Sequence, residues 1–237
     1  MTKHSSSILS IIIVNYNTGD ILKECVDSLY AFENNNNFEL IIVDNNSPDN
    51  SRQIIEHLMS HHKNIRHIFL EERVSFSAAN NIGFEASSGD LILIMNPDII
   101  FTSPVFEKLE KLMDTNEAGA CSPLLIGTEG DFQRIYFQRY PTILQFIFFY
   151  SILSKIFMRS KYLINKYQYN CDIDTESGQL QFTEQLPCAF YFTTRDLFVE
   201  AGKMDPSYRL FFEDVDLSYR TGKLKPLAVD TSVRVTH

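Results

Sequence analysis

The sequence lacks the paired cysteines of a disulfide framework and the His/Cys clusters of a zinc site. Its four cysteines are isolated, without a CxxC pair, at Cys25, Cys121, Cys171 and Cys188. A signal-peptide core is also missing, because Asn15, Tyr16 and Asn17 interrupt the short apolar run Ile8–Val14. These absences exclude a disulfide scaffold and predict a cytoplasmic protein in a reducing compartment.

Two phosphate-binding motifs are absent as well. No GxGxxG follows the first apolar run and no GxxxxGK[ST] occurs anywhere, which excludes a Rossmann dinucleotide loop and a P-loop. With 30 acidic and 21 basic residues the net charge is -9, which argues against a nucleic-acid partner. Any bound phosphate must therefore be neutralised locally, most simply by a divalent cation.

Acidic residues are missing from one long segment, residues 132–171, which we call the basic aromatic segment. It contains six basic side chains, leaving 15 basic against 30 acidic groups elsewhere. Its apolar stretch 142–153 is too short to span a bilayer, which takes ~20 residues. Two interpretations stay open: a peripheral helix on an anionic membrane, or a core helix or dimer interface with solvated basic neighbours.

Apolar runs alternate with helical patterns through the first half of the chain. Short β-rich runs are apolar on both faces, as in parallel strands covered by helices, at Leu9–Val14, Leu40–Val43, Ile65–Leu70 and Leu91–Met95. Helical spacing lies between them, at Asp20–Phe32, Ser51–Ser60, with Ser51 as a plausible N-cap, and Phe76–Ser87. The pattern predicts an α/β fold with an open, mostly parallel twisted sheet flanked by helices.

Later elements are predicted less regularly. Helices are expected at Pro104–Met113, Ile143–Met158, Arg195–Ala201 and Glu213–Tyr219, and strands at Ala118–Leu125, Gln181–Thr193 and Leu227–Val235. No linker divides the chain. We expect one domain over residues 1–237.

Polar residues follow three of the predicted strands. The strand ends read Val14-Asn15-Tyr16-Asn17, Asp44-Asn45-Asn46-Ser47 and Asn96-Pro97-Asp98. Asn and Asp also favour turns, but three such ends in register indicate a ligand site beyond the carboxyl ends of the strands. Asp44 suits a ribose or base edge, and Asp98 suits a divalent cation.

A second acidic cluster is Glu213-Asp214-Val215-Asp216, which follows Phe211 and Phe212. Acidic residues also favour helix N-termini, so a capping role is the structural alternative. Flanking aromatic rings would raise the basicity of a carboxylate, which suits a general base.

Together these motifs resemble a family 2 inverting glycosyltransferase of the GT-A fold, closest to rhamnosyltransferase-like members. The resemblance runs from Ser10 to His237 and includes the segment Ser75–Phe84. It implies a Rossmann-like nucleotide-sugar-binding half at about 1–125 joined to an acceptor-binding half at about 126–237. It also implies a chain that continues past His237, so a C-terminal truncation is expected.

The resemblance also implies roles for individual residues. Asp214 is the expected catalytic base, with Glu213 beside it, and Asp98 and His237 are the expected metal ligands. Nucleotide-sugar binding is expected from Val14, Asn15, Tyr16, Asn17, Asp44, Asn45, Asn80, Asn96, Pro97 and Asp98. Acceptor binding is expected from Cys188, Ala189, Phe190 and Arg195.

The implied reaction transfers a sugar, with rhamnose as one candidate, from a dTDP- or UDP-linked donor to a glycan or lipid-linked acceptor. The implied cofactor is Mg²⁺ or Mn²⁺, and the implied place is the cytoplasm, or the inner face of the bacterial cytoplasmic membrane. A non-catalytic GT-A domain that binds nucleotide or glycan is the alternative. A nucleotidyltransferase would need a Gly-rich, basic signature after strand one, which Asn15-Tyr16-Asn17 is not.

Overall fold

A computed structural model describes residues 8–33, 37–115, 117–143, 147, 154–157, 159–163, 173–209 and 211–237. The strands are β1 (Leu9–Asn15), β2 (Phe38–Asp44), β3 (Ile65–Phe69), β4 (Leu91–Met95), β5 (Ile100–Phe101), β6 (Ala120–Ile126), β7 (Leu180–Thr183), β8 (Phe190–Thr194) and β9 (Leu227–Thr236). The helices are α1 (Gly19–Phe32), α2 (Ser51–His61), α3 (Phe76–Ala86), α4 (Phe106–Thr115), α5 (Ser154–Phe157), α6 (Arg195–Glu200) and α7 (Glu213–Leu224), with a 3₁₀ turn at Arg134–Tyr136.

The strands form a single sheet in the order β3-β2-β1-β4-β8-β6-β9-β5, with β7 also paired to β9. Strands β3, β2, β1 and β4 are mutually parallel, whereas β8 runs antiparallel to both β4 and β6. The sheet is therefore parallel in its first half and mixed in its second. This arrangement confirms the predicted open α/β sheet.

The central strands of the parallel half are buried on both faces. Every residue of β1 and β4 is buried, so their side chains carry no alternation of apolar and polar positions. Helix α3 packs closely on this half at Gly83, where an added Cβ would lie 2.6 Å from Ile12 Cγ2 and 3.1 Å from Val43 Cγ2. A glycine is required there because the helix and the sheet leave no room for a side chain.

Two details correct the sequence prediction. The run predicted as one strand over Gln181–Thr193 forms two strands, β7 and β8, because Pro187 cannot donate to a ladder and its carbonyl accepts from Phe190 N at 3.2 Å. Ser51 is the first residue of α2 and not its N-cap; the N-cap position belongs to Asn50. Asp49 Oδ1 accepts from Ser51 N at 3.1 Å instead.

Some predictions fall outside the described residues. The apolar helix predicted over 143–158 is described only at 143, at 147 and in α5, and Cys171 is not described. The other three cysteines are free and buried. Within the described residues, no helix combines the length and the apolar character needed to cross a bilayer.

Candidate active site

A hydrogen-bonded network joins the carboxyl ends of β1 and β2. The parallel register sets Asn15 beside Asp44. Asn15 Nδ2 donates to Asp44 Oδ1 at 2.7 Å and to Ser47 Oγ at 3.1 Å, and Ser47 N donates to Asp44 Oδ2 at 3.0 Å. Both Asn15 and Asp44 are buried. The network fixes the two loops and leaves each Asp44 oxygen with capacity for a further donor.

Two of the asparagines at these strand ends have a backbone role. Asn17 and Asn46 adopt left-handed conformations, with φ of 57° and 62°. Asparagine tolerates this region better than most residues, which accounts for the residue type at both positions. Asn17 N also donates to Ser47 Oγ at 2.9 Å. The turn interpretation therefore applies to these two residues.

A cleft of about 810 Å³ opens above the strand ends. Six predicted nucleotide-sugar residues line it: Val14, Tyr16, Asn45, Asn96, Pro97 and Asp98. Asn45 is held by Val74, since Asn45 Nδ2 donates to the Val74 carbonyl at 3.0 Å and Val74 N donates to Asn45 Oδ1 at 2.9 Å. A cleft of this volume is large enough for a nucleotide-sized ligand.

Two arginines also line this cleft, and the sequence analysis did not identify them. The guanidinium of Arg73 lies 3.9 Å from the centroid of the Tyr16 ring, and Arg209 lines the same cleft. Arginine binds phosphate oxygens through paired N–H donors, so both residues suit a diphosphate. Arg73 follows β3, and inspection of that strand end would have found it.

Asp98 and His237 come together at one side of the cleft. Asp98 Oδ1 lies 3.4 Å from His237 Nε2; the imidazole is 5% exposed and the carboxylate 51%. Burial raises the pKa of Asp98, but the hydrogen bond and charge of the protonated form of His237 outweigh burial and hold the pKa below its ordinary value. A carboxylate and an imidazole in such proximity fit a divalent cation with its remaining sites open to phosphate and water. No cluster of three or more Asp, Glu, His or Cys that could hold a metal occurs in the described part of the chain.

The first residues of the basic aromatic segment pack against His237. Gln133 Nε2 donates to the His237 carbonyl at 2.8 Å, and Gln133 Oε1 lies 2.8 Å from His237 Nδ1. The Tyr136 ring meets the imidazole edge-on, with 4.9 Å between centroids. Neither Gln133 nor Tyr136 was expected from the sequence, because no local motif marks a contact between positions 104 residues apart.

The candidate base Asp214 lies in the first turn of α7, and its charge acts on Tyr136. Burial raises the pKa of the Tyr136 phenol, and the charges of Asp98 and Asp214 raise it further, so both carboxylates act on this ring. Burial also raises the pKa of Asp214 above its ordinary value. Asp214 Oδ1 accepts from Val215 N at 2.8 Å, and this backbone hydrogen bond only partly offsets the effect of burial on the pKa.

The neighbours of Asp214 differ from it in their contacts. Burial raises the pKa of Glu213, helped by the charge of Asp214, and Glu213 Oε2 is buried with no partner among the described residues. Asp216 instead pairs with Arg220 at 2.6 Å within α7. The cluster thus separates into a structural carboxylate, Asp216, and two carboxylates of raised pKa.

Several predicted residues do not reach the cleft. Asn80 is buried in α3, where its Nδ2 donates to the Phe76 carbonyl at 3.0 Å. Phe190 is buried in β8. Arg195 lies at the end of the strands opposite the cleft, where its guanidinium donates to Gly89 O at 2.6 Å and to Ser87 Oγ at 2.7 Å. In this structure Arg195 has a structural contact, and its expected role in acceptor binding stays a prediction.

The other two predicted acceptor residues, Cys188 and Ala189, are both buried. The Ala189 carbonyl accepts from Asn96 N at 3.0 Å. The charges of Asp214 and Glu213, added to burial, raise the pKa of the Cys188 thiol. These two residues thus connect the strand end at Asn96 with the start of α7.

A smaller aromatic cleft of about 330 Å³ lies along α7. It is lined by Tyr140, Pro141, Tyr208, Phe212, Val215, Asp216 and Tyr219. The Tyr140 and Tyr219 rings meet at right angles with 5.4 Å between centroids, and Tyr140 Oη donates to the Ser218 carbonyl at 3.0 Å. Phe212 and Val215 flank Asp214 in the sequence, so this cleft is built by residues on either side of the candidate base.

Several solved structures share the fold of this chain. A mannosyltransferase from Pyrobaculum calidifontis, in complex with GDP-Man and Mn²⁺, matches 98% of this chain and 56% of its own, with a TM-score of 0.67 at 14% identity. GalNAc-T7 with UDP, GalNAc and Mn²⁺ matches 98% of this chain and 43% of its own, with a TM-score of 0.72 at 15% identity. S. aureus TarS 1-349 in complex with UDP-GlcNAc matches 97% and 58%, with a TM-score of 0.66 at 14% identity. The architecture is the GT-A fold.

The sequence itself is more specific. Residues 10–181 match the model described as glycosyl transferase family 2, and the chain belongs to this family. Glycosyltransferase GlyG of Streptococcus pneumoniae is 30% identical over 113 residues, which are 48% of this chain and 37% of that protein. A putative teichuronic acid biosynthesis glycosyltransferase, TuaG of Bacillus subtilis, is 26% identical over 115 residues, 48% of this chain and 44% of that protein. The matched segments thus span less than half the length of these relatives.

Proposed function

We propose that this domain is an inverting glycosyltransferase that moves a sugar from a nucleoside-diphosphate donor to a hydroxyl of a glycan or lipid-linked precursor. One observation carries the proposal: the Tyr136 ring packs against His237 of the Asp98–His237 pair, and the charges of both Asp98 and Asp214 raise the pKa of its phenol, so the candidate cation pair and the candidate base act on one shared ring. Separate positions for a leaving diphosphate and for an accepting base are what a single displacement requires.

The donor fits the larger cleft. Tyr16, Asn45 and the loop held by Asp44 face the nucleoside end, and Arg73 and Arg209 supply positive charge for the diphosphate. Asp98 and His237 would hold a divalent cation, which supplies charge neutralisation for the leaving diphosphate. Relatives of known structure were captured with GDP-Man, UDP and UDP-GlcNAc, two of them with Mn²⁺, and this supports a nucleotide-sugar donor and a cation.

The acceptor fits the aromatic cleft. Sugar rings present apolar C–H faces and polar edges, which suit the aromatic rings of Tyr140, Tyr208 and Tyr219 and the carboxylate of Asp216. An acceptor held there lies beside the start of α7. Asp214 would take the proton from its hydroxyl as the oxygen attacks the anomeric carbon from the face opposite the leaving group, which inverts the configuration.

Donor binding by calorimetry tests the proposal. UDP, dTDP and GDP, and sugar conjugates including dTDP-rhamnose, are titrated with and without Mn²⁺ or Mg²⁺. We expect one nucleotide series to bind more tightly with the cation, followed by nucleotide release when acceptor glycans are added. Binding without any turnover would favour the non-catalytic alternative, and no binding to any donor would contradict both.

Membrane contact and a homodimer remain predictions from the basic aromatic segment. The segment's described part contributes Gln133 and Tyr136 to the site, so its function is not limited to a surface. Co-sedimentation with vesicles, compared between neutral and anionic lipid, tests the membrane contact. Failure with both lipids would contradict it.

A further inference from the structure

Gln133 holds His237 at two points across 104 positions of sequence. Its side-chain nitrogen Nε2 donates to the His237 carbonyl at 2.8 Å, and its oxygen Oε1 lies 2.8 Å from His237 Nδ1. Together these contacts form a closed ring between the amide, the backbone and the imidazole.

The chemistry of these atoms leaves only one arrangement of hydrogens on the neutral ring. A backbone carbonyl can only accept, so the amide atom that faces it is the NH₂ group, and the amide oxygen therefore faces Nδ1. Because that oxygen can only accept, Nδ1 carries the hydrogen. The lone pair of the neutral imidazole is then on Nε2.

Nε2 faces the candidate cation site. It lies 3.4 Å from Asp98 Oδ1 and 3.5 Å from Asn96 Nδ2, whose N–H can donate to the lone pair. The His237 side chain is 5% exposed and Tyr136 packs against it, so the ring has little freedom to turn away. The Nε2 lone pair thus lies next to the Asp98 carboxylate, which lines the cleft.

We propose that Gln133 is a positioning residue that fixes the tautomer and orientation of His237, so that Nε2 can bind a divalent cation together with Asp98. The inference rests on the cation site of the proposed function. Partners of this kind orient metal-binding histidines, and their loss typically weakens metal affinity 10- to 100-fold.

The tautomer is measured without any metal. Long-range ¹H–¹⁵N spectra of the full chain, recorded on the neutral imidazole, distinguish a hydrogen on Nδ1 from one on Nε2. We expect the Nδ1–H form in the native protein and in Gln133→Glu, which keeps an acceptor facing Nδ1. Gln133→Leu should show a mixture, or the Nε2–H form. A native Nε2–H form would overturn the inference.

Cation affinity is measured in parallel, from free Mn²⁺ by electron paramagnetic resonance, with Mn²⁺ alone and with UDP or GDP. Gln133→Leu is expected to weaken Mn²⁺ binding about 10-fold or more. Gln138→Leu is the matched control, since Gln138 Nε2 donates to the Ile135 carbonyl at 2.7 Å in the same segment. If Gln133→Leu bound Mn²⁺ with the affinity of the native protein, the role of Gln133 would be overturned but the proposed cation site would not. If the native protein bound no Mn²⁺ under any condition, the proposed cation site itself would be overturned.

Discussion

Replacing Asp214 by asparagine removes a proton acceptor while keeping its shape. The amide oxygen of Asn can still accept from Val215 N, so the start of α7 keeps that contact. A general base contributes about 10²- to 10⁴-fold to a rate, which is about 2.7–5.4 kcal/mol of barrier. We expect Asp214→Asn to lower transfer by that factor with donor affinity unchanged, because Asp214 does not line the donor cleft.

The same substitution has an opposite effect on folding. Burial raises the pKa of Asp214, so the folded chain binds this proton more tightly than the unfolded chain does. The contribution of Asp214 to the free energy of unfolding therefore falls as the pH rises from the ordinary pKa of an Asp through the raised pKa of Asp214 in the folded chain. Asparagine has no such charge, and we expect Asp214→Asn to unfold at pH 7 at the same or a higher temperature than the native chain.

Three measurements separate these effects: nucleoside diphosphate release with acceptor, donor affinity by calorimetry, and thermal unfolding. The pH profile of native transfer should fall on the acid side at a pH above the ordinary pKa of an Asp, because only the ionised base accepts the proton. Asp196→Asn is the matched control, since Asp196 is in the first turn of α6. Native transfer by a folded, donor-binding Asp214→Asn would refute the assignment of the base.

Three further substitutions test the donor site and its support. Asp98→Asn should remove most of the Mn²⁺-dependent gain in nucleotide affinity, measured by calorimetry; equal gains would contradict a cation role. Arg73→Gln should weaken diphosphate binding about 10-fold. Arg52→Gln is the control and should leave binding unchanged, because Arg52 forms a similar cation–π pair with Phe69 but does not line the cleft. Gly83→Ala should destabilise the fold by about 1–3 kcal/mol in urea unfolding, because its Cβ would lie 2.6 Å from Ile12 Cγ2. An unchanged urea midpoint would show that α3 shifts freely.

The parallel half of the fold was predictable because its signals are local. Strands buried on both faces are continuous apolar runs, so β4 was predicted to the residue and β1 to within one residue. Asn45, Asn96 and Asp98 followed from the rule that ligands bind beyond the carboxyl ends of parallel strands. Residue type and chain position were sufficient for these positions.

Other parts of the site depend on contacts that the sequence does not mark. Gln133 reaches His237, and Asn81 reaches Met204, where Asn81 Nδ2 donates to the Met204 carbonyl at 2.7 Å. Both pairs join segments more than 100 positions apart, and glutamine and asparagine in loops are too common to indicate a partner. Arg195 shows the opposite case, in which a sequence motif was present: it assigned Arg195 to the acceptor side, whereas the Arg195 guanidinium donates to Gly89 O at the end of the strands opposite the cleft.

The approach to α7 shows why composition alone cannot locate a reactive carboxylate. Phe211 and Phe212 both adopt left-handed backbone, each with φ of 67°, and both are exposed. Such conformations cost about 1–3 kcal/mol each in non-glycine residues, and they persist only where the surroundings impose them. These two residues directly precede Glu213 and Asp214, and the Phe212 ring lines the aromatic cleft. The sequence predicted that these rings would raise the basicity of a carboxylate, but both rings are exposed, so the burial that raises the pKa of Glu213 and Asp214 comes from other parts of the site. The left-handed backbone at Phe211 and Phe212 instead leads directly into the start of α7, with Glu213 and Asp214 in its first turn.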